Sequence, residues 1–197
     1  MAESTPARRR RGTALEEALL DAAWAEITER GYEHLSFDAV AARAGTSKPV
    51  VYRRWPSKPE LAQAAFRHVI RRDPILAPDT GNLRDDVIAL LRELNGRRVG
   101  IATVLVAQLS DLYRATGTSM DDLRTSLETG QETVMETIVG RAVRRGEIDA
   151  EKLTPRIIRL PVDLFRAQLL MTARAVPDAD ILEIVDTIFL PAVTRPA

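Results

Sequence analysis

The sequence predicts an all-α protein, because apolar residues recur at helical spacing and no segment shows the alternation of a half-buried strand. Glycine and proline interrupt this pattern at intervals of helix length, as they do at helix ends. The chain has 197 residues, of which 45% are hydrophobic and 28% charged. This is an ordinary globular composition, and the length allows one or two domains.

Composition and motifs also exclude several classes of site. The chain has no cysteine, which rules out disulfides and thiolate metal ligands and favours a reducing cytoplasm. No apolar run approaches the ~20 residues of a membrane span, and the N-terminus lacks the apolar region of a signal peptide. No nucleophile, phosphate-loop or metalloprotease motif is present. We therefore expect no enzyme activity, no metal, no cofactor and no membrane partner.

The first element is a polar segment, residues 1–12, which ends in four consecutive arginines. We expect it to be a flexible basic arm, which could remain a disordered tail or contact phosphates or the minor groove beside a DNA-binding helix. A long helix is then expected from Thr13, because Thr13 and Glu16 have capping-box spacing. Gly31 is expected to end it.

Residues 35–58 predict two short helices joined by a tight turn. An apolar face recurs at Phe37, Val40 and Ala41, and Gly45 stands where the first helix must stop. Thr46 and Ser47 offer oxygens to cap the second helix, and proline at its first turn is tolerated. This order of elements is typical of a helix-turn-helix, whose second helix can enter the major groove of DNA.

Charge supports a nucleic-acid partner for this segment. Residues 1–72 hold 13 Lys and Arg against 9 Asp and Glu, whereas residues 73–197 hold 15 against 19. Within residues 35–58 the only acid is Asp38. A local basic excess favours phosphate neutralisation, although a basic helical hairpin can also be a solvated scaffold. The basic residues of this segment are Arg43, Lys48, Arg53, Arg54 and Lys58.

Ser57 and Glu60 repeat the capping-box spacing and predict a fourth helix that reaches about Arg72. Proline, aspartate and glycine are concentrated in residues 73–81, where we place a domain boundary. Every later periodic segment predicts helix. The segment 99–113 is apolar nearly all round and is therefore expected to be a buried central helix. The segment 120–145 is expected to end at Gly146. The full set of predicted helices is 83–94, 99–113, 120–145, 155–175 and 178–193.

The segment LSFDAVAARAGTSKPVVYRRWPSKPEL, preceded by Arg30-Gly31-Tyr32, resembles the DNA-binding domain of TetR-type transcriptional repressors. The resemblance runs from about Thr13 to about Arg72 and weakens to general features beyond it. Near the end, Gly146-Glu147-Ile148 is similar to a common subgroup of that family. The resemblance implies a domain at 13–72 that carries a three-helix helix-turn-helix, and a helical regulatory domain at 73–197 for ligand binding and dimerisation.

The resemblance also implies roles for individual residues. Lys48, Pro49 and Val50 are expected to face base edges, and Tyr52 and Lys58 to bind phosphates. Arg53 and Arg54 could serve either role. The full expected DNA-binding set is Ser36, Phe37, Thr46, Ser47, Lys48, Pro49, Val50, Tyr52, Arg53, Arg54 and Lys58.

The resemblance implies a small-molecule effector bound among the helices of the acidic region. Candidate lining residues are Gln108, Tyr113, Met135, Phe165, Gln168 and Met171, for each of which core packing is the competing role. The last two helices are apolar on faces wide enough for two partners, which predicts a homodimer on a palindromic operator in double-stranded DNA. A wholly internal core is the alternative role of these faces. The expected function is a cytoplasmic, ligand-responsive transcriptional repressor. The alternative is a helical ligand- or protein-binding module that does not read DNA.

Overall fold

The computed structural model describes the backbone of residues 5–116 and 133–194, and the side chains within 12–104 and 133–194. Over these ranges the chain is helical and has no β-strand, so the predicted fold class is confirmed. No helix of the described chain has both the length and the apolar character needed to cross a bilayer.

The described chain forms two compact units. One contains residues 5–74 and 108–116, and the other contains 75–107 and 133–194. The helices are α1 (Thr5–Arg30), α2 (Phe37–Arg43), α3 (Lys48–Tyr52), α4 (Lys58–Arg72), α5 (Leu83–Thr116), α6 (Val134–Arg145), α7 (Pro155–Thr172) and α8 (Asp178–Glu183), with short 3₁₀ turns at Tyr32–His34 and Ala150–Lys152.

In the first unit, α1 packs against α4 and α2 through apolar side chains. Leu19 and Ala23 of α1 and Leu61 of α4 are fully buried. At the edge of this core the rings of Trp24 and Phe66 lie 6.4 Å apart. Trp24 therefore has a packing role in this unit.

The start of α1 differs from the prediction. The helix spans Thr5–Arg30, so residues 5–12 are helical in backbone and Thr13 lies inside the helix instead of capping it. Alanine and arginine, which fill much of this segment, are among the best helix formers. The other end agrees with the prediction, because Gly31 follows Arg30 with φ 88°.

In the second unit, the loop before α5 is fixed by a buried carboxylate. Asp86, in the first turn of α5, is fully buried. Its Oδ1 accepts hydrogen bonds from the backbone N–H of Thr80 at 2.5 Å and from the Thr80 hydroxyl at 2.7 Å. Arg145 donates to Oδ2 at 3.3 Å. Because buried charges are costly unless paired, this network ties α6 to the loop before α5.

The Gly146-Glu147-Ile148 segment has a structural role in this unit. Gly146 closes α6 in the left-handed conformation, as predicted, with φ 75°. Glu147 Oε2 then accepts a hydrogen bond from the backbone N–H of Leu83 at 2.6 Å, which satisfies one of the unpaired donors at the start of α5. Ile148 is buried in the core of this unit.

Three of the predicted helices are wrong in extent. The segments 83–94 and 99–113 form one helix, α5, which passes through Gly96 and Gly100. The expected burial all round 99–113 is also wrong within the described side chains, because Thr103 is exposed. The helix predicted over 120–145 begins at Val134, where Thr133 and Glu136 form a capping box. Its earlier part lies outside the described residues.

The last two predicted helices are close to their expected limits. The first ends at Thr172 instead of residue 175, because Ala173 adopts a left-handed conformation with φ 50°. The second runs as α8, continues as a π-helix over Ile184–Phe189 and ends in one α-helical turn, Leu190–Val193. Pro191 follows the π-helix, and a proline cannot donate the backbone hydrogen bond that would continue the α-helical ladder.

Candidate nucleic-acid interface

The helix-turn-helix is formed by α2, the turn at Gly45 and α3. Ser36 caps the N-terminus of α2, and its hydroxyl accepts a hydrogen bond from the backbone N–H of Ala39 at 3.1 Å. Gly45 has φ 66°, and the N–H of Thr46 then bonds to the carbonyl of Ala41 at 2.9 Å. A residue that tolerates positive φ, such as glycine, makes this turn without backbone strain. The turn predicted from the sequence is therefore confirmed.

Buried valines and one ring contact hold the two helices together. Val40 of α2 and Val51 of α3 are completely buried. The rings of Phe37 and Tyr52 meet edge to face with centroids 5.5 Å apart. Phe37 is half-buried, whereas Tyr52 is 55% exposed. Phe37 of α2 therefore packs against α3 through this ring contact, while Tyr52 is largely exposed to solvent.

The remaining predicted contact residues of α3 and its two ends differ in exposure. Ser47, Lys48, Pro49 and Arg53 are exposed, while Thr46, Val50 and Arg54 are partly buried. Arg54 donates to the carbonyl of Val50 at 3.3 Å. Ser47 occupies the N-cap position, but neither it nor Thr46 provides the predicted cap, because the N-cap side chain accepts no hydrogen bond from α3.

Lys58 is held at the start of α4. Its ammonium lies 4.6 Å from the centre of the Tyr32 ring and donates to the carbonyl of Glu33 at 2.8 Å. Burial lowers the pKa of Lys58, and the charge of Glu33 partly offsets this shift. An ammonium has three donors, so Lys58 retains capacity for a phosphate at a helix N-terminus, where anions are favoured.

Lys48 has a partner that the sequence did not reveal. Its Nζ lies 2.8 Å from Oδ2 of Asp38, which is in the first turn of α2. Both side chains line a hollow of about 260 Å³, together with Ser36, Phe37 and Lys58. The structure thus places two lysines, a serine and the single acid of this segment around one surface depression.

Four of the six candidate effector residues have described side chains, and these lie in different surroundings. Met135 and Phe165 are buried in the core of the second unit. Gln168 is partly buried and donates to Asp180, and Met171 is 87% exposed. The side chains of Gln108 and Tyr113 lie outside the described set. The effector role of these six residues therefore stays a prediction.

The two N-cap serines give a matched test of the helix-turn-helix. Ser36→Ala is expected to lower the free energy of unfolding by about 1 kcal/mol, because the N–H of Ala39 loses its acceptor. Ser47→Ala is expected to change it by less than about 0.5 kcal/mol, since Ser47 makes no cap bond. Urea denaturation of both variants beside the wild type measures the difference. Equal losses would contradict the capping assignment.

A glycine turn followed by a short helix with exposed basic and hydroxyl groups defines a DNA-binding protein of the helix-turn-helix class. Comparison with known proteins makes the assignment specific. The family model for bacterial regulatory proteins of the tetR family matches residues 19–65, and the model for the tetracyclin repressor-like C-terminal domain matches 77–188. The chain therefore belongs to the TetR family of DNA-binding transcriptional regulators.

Individual relatives support this membership. The HTH-type transcriptional regulator Rv1556 of Mycobacterium tuberculosis is 36% identical over 170 residues, which covers 86% of this chain and 83% of that protein. The DNA-binding transcriptional repressor TetR of Mycobacteroides abscessus is 30% identical over 184 residues, which covers 91% and 94%. The crystal structure of the TetR family transcription regulator SCO0332 has a TM-score of 0.60 at 25% identity, covering 92% of this chain and 99% of that one. The expectation of a DNA-reading regulator is thereby confirmed over the binding-module alternative.

Proposed function

We propose that this protein is a cytoplasmic repressor that reads a palindromic operator through α3. The observation that carries the proposal is the exposed surface of α3, where Lys48, Pro49 and Val50 stand at the start of a helix that follows the Gly45 turn. In helix-turn-helix proteins the start of the second helix contacts base edges. A relative named as a DNA-binding transcriptional repressor supports repression, as opposed to activation, of transcription.

Around this helix, phosphate contacts would fix the register on the duplex. We assign them to Tyr52 and Lys58, with Arg53 and Arg54 serving as phosphate or base contacts. Ser36, Thr46 and Ser47 offer further hydroxyl groups to phosphates or bases. Phe37 contributes by supporting Tyr52, with which it is in ring contact.

Two copies of the chain would bind DNA as a homodimer formed through the last two helices. Apolar side chains on these helices remain accessible, since Met171 is 87% and Ile188 39% exposed. A two-fold dimer presents its recognition helices to half-sites one helical turn apart. The boundary near 73 would separate a DNA-binding domain at 13–72 from the regulatory domain.

We further propose that a small molecule bound by the regulatory domain releases the protein from DNA. Such release is typical of the family. The predicted lining residues are those named from the sequence, and core packing is the competing role for each: Gln108, Tyr113, Met135, Phe165, Gln168 and Met171.

Replacing the two lysines separates base reading from phosphate binding. Two duplexes serve as probes. The first is the one that the wild type enriches from a random library, and we expect its sequence to be palindromic. The second is a duplex of unselected sequence. Lys48→Ala is expected to reduce the ratio of the two affinities by about tenfold, the scale of one lost base contact. Lys58→Ala is expected to weaken both affinities alike and to reduce the salt slope by about 1.

Fluorescence anisotropy over a salt series measures both affinities for each variant. Lys152→Ala is the control, because it removes the same charge from the other unit. Equal losses on both duplexes for Lys48→Ala would reject its base-reading role. Failure of the wild type to enrich any sequence would reject operator reading by α3.

A further inference from the structure

The hollow beside α3 contains one acid whose position calls for an explanation. Asp38 is the only acidic residue within 35–58, a segment with five basic residues. Its side chain is 69% exposed, and its carboxylate lies 2.8 Å from the ammonium of Lys48, which is 54% exposed. A negative charge on a surface that approaches phosphates opposes binding at every DNA sequence.

Asp38 lies in the first turn of α2, where a carboxylate complements the helix dipole whether or not it pairs with Lys48. Structural roles do not account for the pairing itself. The cap of α2 is supplied by Ser36, not by Asp38. An ion pair between two exposed side chains contributes little to folding stability and is screened by salt. The pair joins α2 to α3, but Val40, Val51 and the Phe37–Tyr52 contact already fasten these helices together.

We propose that Asp38 is a positioning residue that sets the specificity of DNA binding by acting through Lys48. This inference rests on the proposed base-reading role of α3. In the ion pair the charge of Lys48 is locally neutralised by Asp38. When the protein contacts DNA of arbitrary sequence, Lys48 therefore displaces few counterions from the phosphates. Its contribution to non-specific affinity is therefore suppressed.

On the correct sequence the same pair is an advantage. A lysine ammonium has three donors, so Lys48 can keep its bond to Asp38 while it donates to an acceptor in the major groove such as O6 or N7 of guanine. The carboxylate then orients a side chain that is otherwise flexible. Asp38 thus lowers affinity for random DNA more than affinity for the operator.

Asp38→Asn tests this inference with the selected and unselected duplexes. We expect its affinity for the unselected duplex to rise about threefold to tenfold at low salt, the scale of two exposed ion pairs in a dimer. The salt slope on that duplex should steepen by about 1 for each Lys48 made available. Affinity for the selected duplex should rise less, so that the ratio of the affinities falls at least about threefold. Asp38→Glu keeps the carboxylate and should keep the ratio.

Two further variants separate this role from a general charge effect. Glu151→Gln makes the same charge change at an exposed position in the other unit and should leave both affinities unchanged. In a Lys48→Ala background, Asp38→Asn should no longer change the ratio, because the lysine through which it acts is gone. A change in ratio that persists without Lys48, or a shift equal on both duplexes, would overturn the inference. A wild type that enriches no sequence would instead overturn the proposed function.

Discussion

Phe165→Ala is expected to lower the free energy of unfolding by about 3–5 kcal/mol, which is the usual cost of emptying a buried phenylalanine site. Phe165 lies in α7 and is 1% exposed within the core of the second unit. The sequence allowed two roles for this ring, core packing or the wall of an effector site. Its burial among other core side chains favours packing, and a large loss of stability is the corresponding result.

The matched control is Leu76→Ala, which also deletes an apolar side chain in the same unit. Leu76 is 76% exposed, so its loss should change stability by less than about 0.5 kcal/mol. Urea denaturation at one protein concentration measures both variants and the wild type. If Phe165→Ala cost less than about 1 kcal/mol, its site would already be partly empty, and the effector role would regain support.

Local signals explain why much of the helix-turn-helix could be predicted. The stops at Gly31 and Gly45 each depend on a few adjacent residues, and both have the predicted role. Such features are set by backbone geometry within one turn, so the sequence contains most of the information. The same reasoning explains the correct end of α6 at Gly146.

Capping boxes show where local reasoning fails. Thr13 and Glu16 have the same spacing as Thr133 and Glu136, yet the first pair lies inside α1 and only the second caps a helix. A cap forms only where the preceding chain leaves the helix. Before Thr13 the sequence favours helix strongly enough to continue. Glycine alone does not end a helix either, as Gly96 within α5 demonstrates.

Side-chain partners in the candidate site could not be predicted in this way. Lys48 pairs with Asp38, ten residues away, and Lys58 with the carbonyl of Glu33, twenty-five residues away. Each pairing depends on how two helices pack, which spacing along one helix does not encode. The positions of the contact residues followed from the motif, whereas their electrostatic partners required the structure.

Arg43→Ala is expected to loosen the base of the helix-turn-helix and to weaken binding to every DNA sequence alike. Arg43 is the last residue of α2, and its guanidinium donates to Glu26 at 2.9 Å and to Glu29 at 2.8 Å, both on α1. The hydrogen bond from Arg43 lowers the pKa of Glu29, and the bond to Glu29 in turn raises the pKa of Arg43. This fork ties α2 to α1.

The buried carboxylate of Glu26 makes the expected loss of stability in Arg43→Ala large. Glu26 is 3% exposed, and its Oε2 accepts no hydrogen bond, although Arg30 lies 3.5 Å away. Without Arg43 this buried charge also loses the donor to Oε1, and breaking a buried pair by removing one partner is strongly destabilising. We expect the melting temperature to fall by the order of 5 °C or more. Hydrogen exchange should also be faster along α2.

Two comparisons decide whether pairing with Glu26 is the cause. Arg71→Ala removes the same charge from an exposed position in the last turn of α4, and should leave the melting temperature nearly unchanged. Adding Glu26→Leu to Arg43→Ala should recover part of the lost stability, because an apolar side chain replaces the unpaired charge. Equal melting temperatures for Arg43→Ala and Arg71→Ala would show that α2 is positioned by its apolar contacts alone.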